Sequence, residues 1–126
     1  MKRILLVEDN EMNRDVLSRR LVRRGFTVLL AMDGDRGFSV ACDERPELIL
    51  LDLAMPRVDG WECARRLRAD SRTRSIPIIA LSAHAMVGER QKALDAGCDE
   101  FDTKPLDFEG LLTKIDRLLQ IPSHSI

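Results

Sequence analysis

Leu48-Ile49-Leu50-Leu51-Asp52-Leu53-Ala54-Met55-Pro56-Arg57-Val58-Asp59-Gly60 is the stretch that decides how the rest of the chain is read. Four consecutive large aliphatics leave no polar face, which predicts a strand buried on both sides, as in a parallel sheet covered by helices. A carboxylate then interrupts the run. An unpaired buried charge is costly, so Asp52 belongs where the strand emerges, at the carboxyl edge where open α/β sheets place their ligands. Pro56 and the Asp59-Gly60 pair turn the chain toward its next helix.

Working outward, further aliphatic runs begin near Ile4, Val28 and Ile78, with a weaker fifth over residues 98 to 101. Each interval between them can hold a crossover helix, the signature of a doubly wound parallel α/β sheet with five strands and five helices. Asn10 is a good N-cap for the first helix, Val16, Leu17 and Leu21 form its expected inner stripe, and Gly25 ends it. The second helix is expected over residues 35 to 44, with Phe38 and Ala41 facing inward and Arg45-Pro46 terminating it. Asp59 with Glu62 resembles a capping box, and Trp61, Ala64 and Leu67 then recur at helical spacing. A fourth helix, residues 86 to 96, contains Gly88 and is closed by Gly97; its poor propensity marks it as the element that moves most easily. Asp107 can cap a last helix carrying Leu111, Leu112, Ile115, Leu118 and Leu119, stopped by Pro122.

The 126 residues fit one domain, expected over 1–121, with 122–126 a short polar tail and no linker to an effector. Hydrophobic content of 44% and charged content of 33% describe a soluble globular protein. No apolar run approaches the roughly 20 residues of a membrane span, and no secretory signal opens the chain, so a cytoplasmic protein without membrane association is expected. Cys42, Cys63 and Cys98 are odd in number and lack any CxxC pair, which favours buried reduced thiols over disulfides or zinc. A net charge of -1 and a pI near 6.1 give no drive toward nucleic acid. Arginines cluster at Arg14, Arg19, Arg20, Arg23 and Arg24 and again from Arg65 to Arg74; these are read as solvated helix faces, with an acidic partner protein as the second reading.

A parallel sheet gathers its strand ends on one rim, and here they carry Glu8-Asp9, Asp52, Ser82 and Lys104. Strand 2 ends in Ala31-Met32-Asp33 and supplies no comparable group, which fits an edge strand lying outside the site. At about 4 Å two like charges repel by roughly 4 kcal/mol at an effective dielectric of about 20, so three clustered carboxylates need compensation. Lys104 supplies one positive charge. Oxygen ligands with few His or Cys residues suit Mg²⁺ or Mn²⁺ for the remainder. Such a set can hold a phosphoryl group, with Asp52 as nucleophile, Lys104 on a phosphoryl oxygen and Ser82 as a further donor beside the small Ala83.

With these residues the chain resembles the receiver domain of bacterial response regulators over nearly its whole length. The matching features are Glu8-Asp9, Asp52 with Met55-Pro56 and Asp59-Gly60, Ser82-Ala83, and Phe101 three residues before Lys104-Pro105. The resemblance implies the flavodoxin-like strand order 2-1-3-4-5 and a cis Lys104-Pro105 peptide. It implies that Asp52 accepts phosphoryl from a histidine kinase or a histidine phosphotransfer protein. Mg²⁺ would be held by Asp9, Asp52, the backbone carbonyl of Ala54 and, through water, Glu8. Ser82 and Phe101 would then act as switch residues, Ser82 moving toward the phosphoryl and Phe101 rotating inward, while Ala54 and His84 flank the site and tune phosphoryl lifetime.

The expected function is therefore that of a stand-alone phosphorylation-controlled interaction module, a monomer or weak dimer that signals by protein contacts and catalyses only its own phosphoryl transfer and autodephosphorylation. An enzyme is the alternative, since phosphatases of the haloacid dehalogenase type also use an aspartyl nucleophile. Their pattern resembles Asp-x-Asp, with a second Asp as general acid, where this chain has Ala54.

Overall fold

The aliphatic run forms β3 (Leu48–Asp52), with all five residues buried. A computed structural model describes residues 2–55, 59–83 and 87–120. The other strands are β1 (Arg3–Val7), β2 (Thr27–Ala31), β4 (Ile78–Ser82) and β5 (Glu100–Thr103), and all pairings are parallel in the order β2-β1-β3-β4-β5. The helices are α1 (Glu11–Arg23), α2 (Gly34–Glu44), α3 (Gly60–Ala69), α4 (Glu89–Asp95) and α5 (Phe108–Leu119). This is the five-stranded doubly wound architecture expected from the sequence, and β2 is indeed an edge strand.

Alternation along the strands feeds two cores, as a sheet covered on both faces requires. Leu5, Val7, Ile49 and Leu51 pack with Ala41, Cys63, Ala64, Leu67 and Ala93 from α2, α3 and α4. Ile4, Leu6, Leu48 and Leu50 pack with Leu17, Leu21, Leu111 and Ile115 from α1 and α5. Each of these leucine, isoleucine and valine side chains contributes roughly 1.5–3 kcal/mol relative to leaving it in water. The three cysteines are free and buried, as expected, and burial pushes the thiols of Cys63 and Cys98 up to about 12.

Several local expectations are corrected. Val16 is 51% exposed, because Leu17 and Leu21 define the inner stripe and Val16 lies a hundred degrees off it. Asp33, whose side chain accepts from the Arg36 N–H, caps α2 one residue ahead of the expected start. Asp59 caps α3 by accepting from the Glu62 N–H at 2.9 Å, but the Glu62 carboxylate faces Arg65 and Arg66, so the capping box is one-sided. The fourth helix begins only at Glu89, after Gly88 at φ 87, and Asp107 makes no side-chain cap bond to α5. β5 starts at Glu100, after Cys98 has closed the preceding turn with an N–H bond to Ala93. Pro56, Met86 and Pro122 lie outside the described residues.

Two glycines are required by their surroundings. A Cβ on Gly60 would overlap the Asp52 carbonyl oxygen and Leu53 Cα, so the helix after the central strand can start this close only with Gly there. Gly97, at φ 109, faces Arg68, whose guanidinium ties three segments together. Arg68 donates to the carbonyls of Gly97 at 2.6 Å, Arg74 at 2.9 Å and Ile76 at 2.7 Å, and to the Asp99 carboxylate at 2.6 Å. Asp99 in turn accepts the Ile78 N–H at 2.8 Å. Arg68 is thus a structural tie, not the solvated charge expected of it.

Candidate functional site

Register places the strand ends on one rim. Asp52 lies level with Leu81, one step inside Ser82, and Ser82 lies level with Thr103. The Lys104 N–H continues that ladder, donating to the Ser82 carbonyl at 2.8 Å. On the other side the Glu8 N–H donates to the Ala31 carbonyl at 3.0 Å, which holds the segment after β1 against β2. Glu8, Asp9, Asp52, Ser82 and Lys104 are therefore brought together by sheet topology alone.

Glu8, Asp52 and Ser82 are buried, with 2%, 3% and 2% exposure, while Asp9 is open to solvent. The Lys104 ammonium lies 2.8 Å from Glu8 Oε1 and 3.4 Å from Asp52 Oδ2. Glu8 Oε2 accepts the Asn10 N–H at 3.2 Å, and Asp52 Oδ1 accepts the Ala54 N–H at 3.2 Å. The Ser82 hydroxyl is 3.4 Å from Glu89 Oε1 at the start of α4. The Lys104-Pro105 peptide is cis, as the resemblance implied. Phe101, the other expected switch residue, is 7% exposed and packed in the α2–α4 core. His84 lies outside the described residues.

The charges are unbalanced. Burial and the neighbouring Glu8 push the Asp52 carboxyl up to about 6, against the pull of Lys104 and the Ala54 amide. Burial acts the same way on Glu8, yet its bonds from Lys104, Asp52 and the Asn10 amide outweigh it and hold that carboxyl below its usual range. Burial would lower the Lys104 ammonium, but Glu8 and Asp52 keep it above its ordinary value. A proton entering this site goes to Asp52.

One oxygen each from Glu8, Asp9 and Asp52 lies within 4.8 Å of the others. Three acids against one lysine leave two negative charges in excess, and an all-oxygen set suits a hard divalent cation. These residues fit Mg²⁺. Ala54, the second position of the Asp-x-Asp comparison, offers no side-chain acid.

Two neighbours escaped sequence reasoning. Arg14 donates to the Glu8 carbonyl at 2.9 Å and reaches that of Asp9 at 3.4 Å, and Glu89 meets Ser82. Arg14 had a signal: helical side chains lean toward the N-terminus, so a long cation one turn inside α1 hangs over the loop before it. Glu89 had none, because its contact depends on where α4 begins. A groove of about 270 Å³, lined by Met12, Val16, Arg20, Pro105 and Phe108, runs from α1 past Lys104 and Glu8.

The chain belongs to the response regulator receiver domain family, whose model matches residues 4–116. It is 37% identical over 132 residues to the DNA-binding dual master transcriptional regulator RpaA of Synechocystis, covering 99% of this chain and 55% of that protein. It is 42% identical over 118 residues to the response regulator MprA of Mycobacterium ulcerans, covering 94% of this chain and 50% of MprA. The chain thus spans about half the length of the curated relatives it matches.

Among solved structures, the receiver domain of the sensor histidine kinase PA1611 from Pseudomonas aeruginosa, with a magnesium ion in its active site cleft, superposes with a TM-score of 0.88 at 36% identity over 94% of this chain and 98% of that one. The chemotaxis protein CheY4 of Vibrio cholerae gives 0.87 at 28% identity, over the same shares of the two chains. Receiver domains accept phosphoryl groups in two-component signalling, partner with histidine kinases and bind Mg²⁺ in their acidic pocket; they are signalling proteins, not enzymes in the ordinary sense. Among the described residues no helix is long and apolar enough to cross a membrane.

Proposed function

We propose that residues 1–121 form a receiver whose phosphoacceptor is Asp52, loaded in a Mg²⁺-dependent reaction by a phosphohistidine on a histidine kinase or phosphotransfer protein. The observation that carries this reading is the Lys104 ammonium, 2.8 Å from Glu8, which is 96 residues away along the chain, and 3.4 Å from Asp52, the buried carboxylate that the acid cluster has left easiest to protonate.

An Asp52 carboxylate oxygen forms the O–P bond as the P–N bond of the phosphohistidine breaks, and the departing imidazole keeps the electron pair and takes a proton. Lys104 turns from Asp52 toward the negative phosphoryl oxygens, and Ser82 exchanges its contact with Glu89 for one of them. Asp9, Asp52, the Ala54 carbonyl and, through water, Glu8 would hold the cation. When bound, Mg²⁺ supplies the positive charge that lets these acids and the phosphoryl oxygens share one site. Ala54 and His84 set how readily water reaches the aspartyl phosphate and so its lifetime, and hydrolysis returns Asp52 to its free state.

Ser82 moves toward the phosphoryl and Phe101 rotates further inward, and the change is read out on the surface around α4. The receiver itself acts by protein contacts in the cytoplasm, as a monomer or weak dimer, without nucleic acid or membrane. The mass of the natural gene product decides whether it works alone or as part of a longer regulator.

The test is incubation with acetyl phosphate and Mg²⁺ followed by intact-mass measurement. One phosphoryl adduct is expected, absent in Asp52→Asn and in excess EDTA. An adduct retained by Asp52→Asn refutes the assignment.

A further inference from the structure

Arg14 lies outside the set of residues that meet the phosphoryl group, yet it grips the main chain that presents two of the acids. Its Nη1 donates to the Glu8 carbonyl at 2.9 Å and reaches the Asp9 carbonyl at 3.4 Å, and its own N–H is bonded to Asn10 at 2.9 Å. Glu8 has other restraints, from Ala31, Lys104 and Asn10. Asp9 is exposed, and among the described residues Arg14 is the side chain that holds its main chain.

We propose that Arg14 is a positioning residue for the divalent cation: by fixing the carbonyls of Glu8 and Asp9 it keeps the Asp9 carboxylate beside those of Glu8 and Asp52. The proposal rests on the reading that these acids hold Mg²⁺, and goes beyond it by naming what holds the loop in place. Partners behind the metal ligands commonly matter this much, because a ligand that must be ordered at the moment of binding binds weakly.

Charge makes the idea sharply testable. A guanidinium near a cation site repels the cation, so if Arg14 acted through its charge alone, removing it would tighten Mg²⁺ binding. If it acts by position, removing it loosens binding. The experiment is a Mg²⁺ titration of the full chain followed by amide NMR shifts of Glu8, Asp9, Asn10 and Asp52. Arg14→Gln is expected to raise the Kd for Mg²⁺ about tenfold. Arg14→Lys, which keeps the charge but not the two-carbonyl reach, recovers part of that loss.

Arg19→Gln removes the same charge from a position 72% exposed and paired to Asp15, and leaves the Kd unchanged. At saturating Mg²⁺ the acetyl phosphate yield of Arg14→Gln returns to that of the parent, which damage to the fold would not allow. A Kd unchanged or lowered in Arg14→Gln overturns the proposal. Should that variant fail to fold, a parental Kd in Arg14→Lys overturns it equally. No Mg²⁺ response in the parent protein would overturn the proposed function itself, so the two failures are told apart.

Discussion

The β1–β3 side of the site and its β4–α4 side share one rim, but they are held very differently. On the first, α1 runs for thirteen residues from an Asn10 cap whose side chain accepts the Asn13 N–H, and Glu8 and Asp52 are buried and bonded to Lys104. On the second, α4 has seven residues, starts from a left-handed Gly88 without a side-chain cap bond, and buries only Ala93. Few buried contacts and an uncapped start place α4 at the low end of local stability. The half that carries Glu8 and Asp52 is preorganised, and the half beyond Ser82 is cheap to move. A device that must bind a defined group and then change shape needs both.

The largest expected effect contrasts two glycines. Gly60→Ala forces a Cβ into the Asp52 carbonyl and should cost about 3 kcal/mol by urea denaturation, whereas Gly88→Ala, whose Cβ meets no atom of the described residues within 4 Å and is opposed by the positive φ, should cost about 1 kcal/mol. Equal losses would mean that the two sides are equally constrained.

Next in size is the charge strain on the preorganised side. The folded Asp52 carboxyl titrates at about 6 against an ordinary 3.8, so between those values the native protein keeps a proton that the unfolded chain has released. Stability therefore falls as pH rises through that window, and the deficit persists above it. In metal-free buffer, Asp52→Asn should raise stability by about 2 kcal/mol at pH 7.5, and by much less at pH 4. The thermal midpoints of both proteins, measured in EDTA at the two pH values, check this, and Mg²⁺ should shrink the gap by stabilising only the parent.

Asn10→Ala should cost about 1 kcal/mol through loss of the α1 cap, with hydrogen exchange rising in the first turn of α1 and not in α4. The smallest effect belongs to Glu89→Gln. Its contact with Ser82, at 3.4 Å, is weak, so stability should change by less than about 0.5 kcal/mol, while α4 amides exchange detectably faster. A large loss of stability would show that the α4 side is pinned after all.

Much of this was legible in the sequence because it follows from one-dimensional patterns. The aliphatic run before Asp52 announced a doubly buried strand, and the placing of Glu8, Asp52, Ser82 and Lys104 at successive strand ends announced their convergence. The strand order came from family resemblance, since no local pattern encodes which strands are neighbours. What escaped were features set by a few degrees of helix phase or by main-chain acceptors. Val16 lost its place in the core to the phase of Leu17 and Leu21. Arg14 and Arg68 resembled surface charges because carbonyl oxygens, which every residue carries, leave no trace in composition.

The tie at Arg68 also governs how α4 can travel. Its last turn runs into Gly97, whose carbonyl Arg68 holds against the segment leading into β4, while the described contacts of its first turn are light, Glu89 on Ser82 and the Lys92 ammonium 5.4 Å from the centre of the Trp61 ring. A rod clasped at one end swings like a gate on a post: the arc is widest at the free end, beside Ser82, and vanishes at the clasp. Small changes at the acidic rim would thus be magnified along the outer surface of the domain without loosening the hinge that anchors it.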